Sequence, residues 1–153
     1  MTITCLLEFS QQVTKAYDAH CEPLCRDFQI SRTSFDILMF LANNPRFYTA
    51  RDISIYRNIR PNVVSLHVDQ LVREGYLLRR EIPEDRRKVR LCCTEQAAPL
   101  IRAGLKMQKA FHERLVADLS EEELSSFKRC FQIITRNSEK AAAVNFTPRE
   151  ELL

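Results

Sequence analysis

The sequence predicts a mainly α-helical fold that carries one small two-stranded hairpin. Glycine is scarce, at two residues in 153, and helix formers dominate. Val64, Val68, Leu71 and Val72 recur at i, i+4, i+7 and i+8, which lays one apolar stripe along a helix. The spacing then turns strand-like in Tyr76–Arg80 and Val89–Cys93, with the polar loop Glu81–Lys88 between them. Pro61 suits the first turn of that helix, where a missing N–H costs nothing, and Gly75 suits a left-handed residue just past its end. A helix followed at once by a hairpin with a basic tip is the plan of a winged helix-turn-helix.

From the N-terminus, Leu6, Phe9, Val13, Ala16, Tyr17, His20, Leu24 and Phe28 recur at three- and four-residue steps, so residues 1–28 read as a helix. Pro23 should kink it or end it early. Ser31–Asn44 is the second helix, apolar almost all round from Phe35 to Leu41 and therefore central, with Thr33 and Asp36 spaced as a capping box. Thr49 and Asp52 form a second capping box that opens a short helix to about Arg57, and Asn58-Ile59-Arg60 is the turn into the helix at Pro61. Thr94-Glu95 begins a long helix to about Ala117, with an irregularity expected at Pro99. Ser120 and Glu123 form a third capping box, with Leu119 and Leu124 placed as a hydrophobic staple. Leu124, Phe127, Phe131 and Ile134 then form a stripe too apolar to leave in water, which suits a partner helix. Periodicity fades from about Ala141.

No run of about eighteen apolar residues exists and no basic-then-apolar leader opens the chain, so a cytoplasmic protein without a membrane span is expected. The six cysteines then read as reduced thiols, and no pair of CxxC motifs offers a zinc site. Cys21 and Cys25 share a helical face beside His20; they are either small core residues or a redox or metal pair. The histidines fall in separate segments, and no nucleophile elbow, phosphate loop or His-Glu-x-x-His appears, so neither an enzyme nor a cofactor is expected.

Charge is concentrated. Arg57 to Arg90 holds nine basic residues against five acidic ones, a surplus of four, while the whole chain is only +3. Such a gathering suits phosphate binding. The outer face of the helix at Pro61 carries Asn62, Val63, Leu66, His67 and Gln70, nearly free of charge. Amides pair with adenine, His can donate to guanine, and Val or Leu packs on thymine methyls. Asn62, Ser65 and His67 are the expected polar readers and Val63 and Leu66 the apolar ones, with Arg60, Arg73, Arg86 and Lys88 as further DNA contacts. Asp85 stands two residues before Arg87 in the loop, placed to orient that guanidinium into a narrow minor groove.

Residues Pro61–Leu71 with Gly75, then Pro83-Glu84-Asp85-Arg86-Arg87-Lys88-Val89-Arg90-Leu91 and Thr94-Glu95, resemble the MarR family of bacterial transcription regulators. The likeness runs from Leu6 to about Lys140. Two positions depart from it: Arg60 stands where the family often has Ser, and Leu66 where it often has Arg. The resemblance implies one domain over 1–153, with dimerisation helices at 1–30 and 118–143. The winged helix-turn-helix would span 31–93, a linking helix 94–117 and a tail 144–153. It implies a homodimer on double-stranded DNA, a repressor released by a small aromatic or lipophilic effector, and the groove roles given above to Asp85 and Arg87. Tyr17, Cys25, Phe28, Phe35 and Met39 are the candidate pocket, and they equally suit plain core. Two other readings compete: a thiol-based redox sensor, with Cys25 as the sensor beside Arg26, and a winged-helix docking module that binds no DNA.

Overall fold

The computed structural model describes residues 2–83, 85 and 88–142. In chain order it holds α1 (Ile3–Asp27), α2 (Arg32–Asn43), α3 (Ala50–Arg57), α4 (Pro61–Arg73), β1 (Leu77–Glu81), β2 (Val89–Cys93), α5 (Ala98–Leu115) and α6 (Glu121–Ala142). This is a winged helix-turn-helix, mainly helical with a two-stranded antiparallel wing. The tail from residue 143 onward lies outside the described residues.

By its contacts the chain divides at His112 into Met1–His112 and Glu113–Leu153. The core of the first unit is α2. Phe35, Ile37, Leu38, Met39, Phe40 and Leu41 are all buried, as an almost uniformly apolar helix requires. Around it pack Ile53 of α3, Val64, Val68 and Leu71 of α4, Leu77 of β1, Leu91 of β2 and Leu100 of α5. Gly104 on α5 lies so close to α2 that a Cβ there would overlap the Met39 sulfur, so glycine permits that approach. In the second unit the Ser120–Glu123 capping box is formed. The Ser120 N–H donates to Glu123 Oε2 at 2.9 Å and the Glu123 N–H to Ser120 Oγ at 3.3 Å.

Of the two effects expected of Pro23, an early end does not occur: α1 runs on to Asp27 with Pro23 inside it. One local expectation is corrected. At α2 the cap is Ser31, whose side chain accepts from the Ser34 N–H at 3.1 Å, and not the Thr33–Asp36 pair. Asp36 is drawn away by cations. It pairs with Arg32 on its own helix and, at 3.4 Å, with Arg57 of α3. Arg32 also reaches Asp18 of α1 at 2.9 Å and lies over the Tyr17 ring, so one cluster ties α1, α2 and α3. The irregularity expected at Pro99 falls just ahead of it, as a 3-10 turn over Glu95–Ala97, and Pro99 itself occupies the first turn of α5.

Candidate nucleic-acid interface

The Thr49–Asp52 capping box sets α3: Thr49 Oγ1 accepts from the Asp52 N–H at 3.1 Å while Asp52 Oδ2 accepts from the Thr49 N–H at 2.9 Å. Asn58 then adopts a left-handed conformation (φ 50°), which asparagine tolerates, and the chain turns into α4 with Pro61 in the first turn. At the far end Gly75 takes φ +81°, a left-handed conformation that favours glycine, and a Cβ there would have to displace the end of the Gln96 side chain. Thr94 Oγ1 donates to the Gly75 carbonyl at 2.6 Å and Gln96 Nε2 to the Glu74 carbonyl at 2.9 Å. The end of α4 is thereby fastened to the start of the following helix.

Burying Val64, Val68 and Leu71 turns the opposite side of α4 outward. Asn62, Ser65, Leu66, Asp69 and Arg73 are all exposed, Leu66 at 63%. Leu66 is the one open apolar side chain among these five. Val63, His67 and Gln70 flank this stripe and are half-buried.

Two of the flanking groups are already engaged. Gln70 Nε2 donates to Glu74 Oε1 at 2.8 Å, and His67 Nδ1 lies 2.9 Å from Ser34 Oγ and 3.3 Å from Ser31 Oγ at the start of α2. Asp69, a carboxylate in the middle of the outward stripe, is neutralised by Arg79 of β1. Sequence reasoning missed that pair, because it joins a helix to a strand and neither segment alone specifies its partner.

The wing pairs Leu77 with Cys93 through to Glu81 with Val89, and the Leu91 N–H donates to the Tyr48 carbonyl at 2.8 Å, anchoring β2 to the segment before α3. Arg90 lies 4.3 Å above the Tyr48 ring centroid. Asp85 forms an ion pair with Lys88 at 3.2 Å. Arg86 and Arg87 lie outside the described residues, and so does the expected Asp85–Arg87 contact. Arg60, Arg73 and Arg80 are exposed and have no ion-pair partner among the described residues. Arg73 stands about 16 Å along the helix from Asn62 but on the same face, so it is too distant for the same base pairs and suits a phosphate.

The five pocket candidates are divided by the fold. Phe35 and Met39 are buried in the core, Met39 at its edge, and Cys25 and Phe28 pack against it. Of the five, Tyr17 and Met39 line one cleft of about 250 Å³ among the described residues, with Asp36, Asn43, Arg57 and Gln108. Gln108 Nε2 donates to the Tyr17 hydroxyl at 2.6 Å there.

The thiols are equally dispersed. Burial pushes the Cys21 and Cys25 thiols up, and the cation that opposes this is Arg32, not Arg26. Burial and then Cys92 push Cys93 up to about 11. Cys5 is lowered by its hydrogen bonds with Thr2. His20 faces the Ala16 carbonyl and the Phe111 ring. Among the described residues no group of three His, Cys, Asp or Glu is set to hold a metal.

With this geometry in place, residues 30–89 match the model of the MarR family. That segment is similar to the MarR family. The solved structures similar to the chain include a MarR transcriptional regulator from Methanosarcina mazei Go1, at TM-score 0.75 and 20% identity over 90% of this chain and 99% of that one. The transcriptional regulator SlyA gives TM-score 0.75 at 15% identity, over 89% of this chain and 95% of that one. A Staphylococcus aureus MepR–DNA complex gives TM-score 0.56 at 20% identity, over 83% and 95%. At such identities these likenesses show the fold. No curated protein matches the chain in sequence. The MarR match contains α2, α3, α4 and β1, so it covers the helix-turn-helix and reaches the first residue of β2.

Proposed function

We propose that the chain is a sequence-specific, double-stranded-DNA-binding transcription regulator that acts as a homodimer. The observation that carries this reading is the outward stripe of α4. It presents an amide, a hydroxyl and an open leucine, flanked by Arg60 and Arg73, which are exposed and have no ion-pair partner among the described residues, and by a hairpin wing. Hydrogen-bonding and methyl-packing groups of that kind read base edges in a major groove, while arginines on the rim hold phosphates. A docking module would need neither. Asn62, Ser65 and His67 supply the polar contacts and Val63 and Leu66 the apolar ones. Arg60, Arg73, Arg86 and Lys88 meet the backbone, and Arg87, oriented by Asp85, enters the minor groove.

The dimer is supported by α6, a 22-residue helix with no buried residue and with Phe127, Phe131, Ile133 and Ile134 exposed. One short recognition helix reads few base pairs, and twofold symmetry doubles that number on a palindromic site. Repression relieved by a small aromatic ligand follows from the MarR resemblance. The cleft beside Tyr17 and Arg57 is the space available for it, and its polar lining favours a ligand that hydrogen-bonds over a purely lipophilic one. Asn62→Ala should cost about 1–3 kcal/mol at one base position and relax specificity there, measured by selection from a randomised duplex library. A loss spread evenly over all sequences would make Asn62 a phosphate contact.

A further inference from the structure

Ser34 is the one buried polar residue of the described core, at 0% exposure, and a hydroxyl in that position must find partners inside. It has two: Ser31 Oγ at 3.0 Å and His67 Nδ1 at 2.9 Å. Ser31 is the N-cap of α2, its Oγ already accepting from the Ser34 N–H. The positive end of the α2 dipole lies at this cap, so a ring lone pair directed toward it is favoured over an N–H. The hydroxyl protons then run one way, from Ser31 Oγ to Ser34 Oγ and from Ser34 Oγ to His67 Nδ1. In a neutral ring whose Nδ1 accepts, the proton resides on Nε2.

We infer that Ser34, with Ser31 behind it, is a specificity-determining positioning residue: it fixes His67 as an outward Nε2–H donor that reads guanine on DNA. This rests on the proposed DNA-binding function and names a residue of that site that has no contact with DNA itself. Guanine offers two adjacent acceptors, O6 and N7, at its major-groove edge, where adenine and thymine offer one each and cytosine none, so a fixed donor on α4 favours guanine. A ring free to exchange tautomers would present a donor or an acceptor and discriminate less. The same contact holds α4 to α2 by a polar link beside the apolar packing of Val64 and Val68, so the ring's direction is set by the core.

Two measurements on the full chain separate the claims. Long-range proton–nitrogen spectra of the histidine rings, taken without DNA at neutral pH, should show His67 as the Nε2–H tautomer, and Ser34→Ala should give an averaged mixture. A wild-type Nδ1–H tautomer, or a Ser34→Ala spectrum unchanged from wild type, would overturn the assignment. Selection from a randomised duplex library should then show a guanine preference at one position of each half-site. His67→Leu should lose it by roughly tenfold, the equivalent of one good hydrogen bond. His67→Gln, which keeps an acceptor for Ser34 and a donor beyond it, should retain most of that preference and control for disturbed folding. Loss of affinity without loss of the guanine preference would mean a phosphate contact and sink base reading by His67. A wild-type chain that selects no sequence would overturn the DNA reading itself, while the spectra would still decide whether Ser34 sets the ring.

Discussion

Cys93 sits on the wing strand β2 with its thiol pushed up to about 11 by burial and by Cys92. The folded protein therefore holds that proton more firmly than the unfolded chain, whose thiol ionises near 9. More protons bound in the folded state means stability that falls as pH rises. The loss from this group is absent below about pH 9 and grows through the interval up to about 11. Cys93→Ala should flatten that part of a denaturant-midpoint profile relative to wild type, and identical slopes would show that the thiol is not so placed. The same chemistry bears on redox sensing. The reactive form is the thiolate, and burial suppresses it at Cys21 and Cys25 as well. The cation that acts on the Cys25 thiol is Arg32 of α2, and it is outweighed by burial.

Among the elements, α3 is held by its capping box at one end and by the Asp36–Arg57 pair at the other. Asp36 serves two arginines on two helices and is itself largely covered, so Asp36→Asn should lower stability by about 1–2 kcal/mol. Thermal unfolding with a DNA-binding assay on the variant checks this; an unchanged midpoint would mean that the cluster is only a solvated surface network. Helix positions, the wing and the two capping boxes at Thr49 and Ser120 were legible in the sequence, since each is written in a short local pattern of apolar period or paired residue types. The cap of α2 was misread because Thr33–Asp36 has the right spacing, while Asp36 is claimed by arginines that only the tertiary fold brings near. For the same reason the Asp69–Arg79 and Ser34–His67 pairs were not visible: each joins two elements, and nothing in either segment alone specifies the partner. The pocket residues were chosen from an apolar stripe on adjacent helices, and such a stripe mostly becomes core, as Phe35 and Met39 did.

For the whole molecule, the exposed apolar face of α6 is the feature that a single chain leaves unresolved. Phe127 and Phe131 stand with ring centroids 5.9 Å apart, 48% and 57% exposed. Sedimentation should give a dimer, and Phe131→Glu should shift it to monomer and weaken binding to a palindromic duplex; a variant that remains dimeric would place the interface elsewhere. The salt dependence of DNA affinity tests the central claim most directly. A dimer that sets Arg60, Arg73 and the wing cations of each protomer on phosphates makes six or more such contacts. Its affinity for a selected palindromic duplex, followed by fluorescence anisotropy, should fall on the order of a thousandfold between about 50 and 200 mM salt, log-linearly. Binding that is absent at the lower salt, or that does not change across the range, would contradict a regulator that grips the DNA backbone through α4 and the wing.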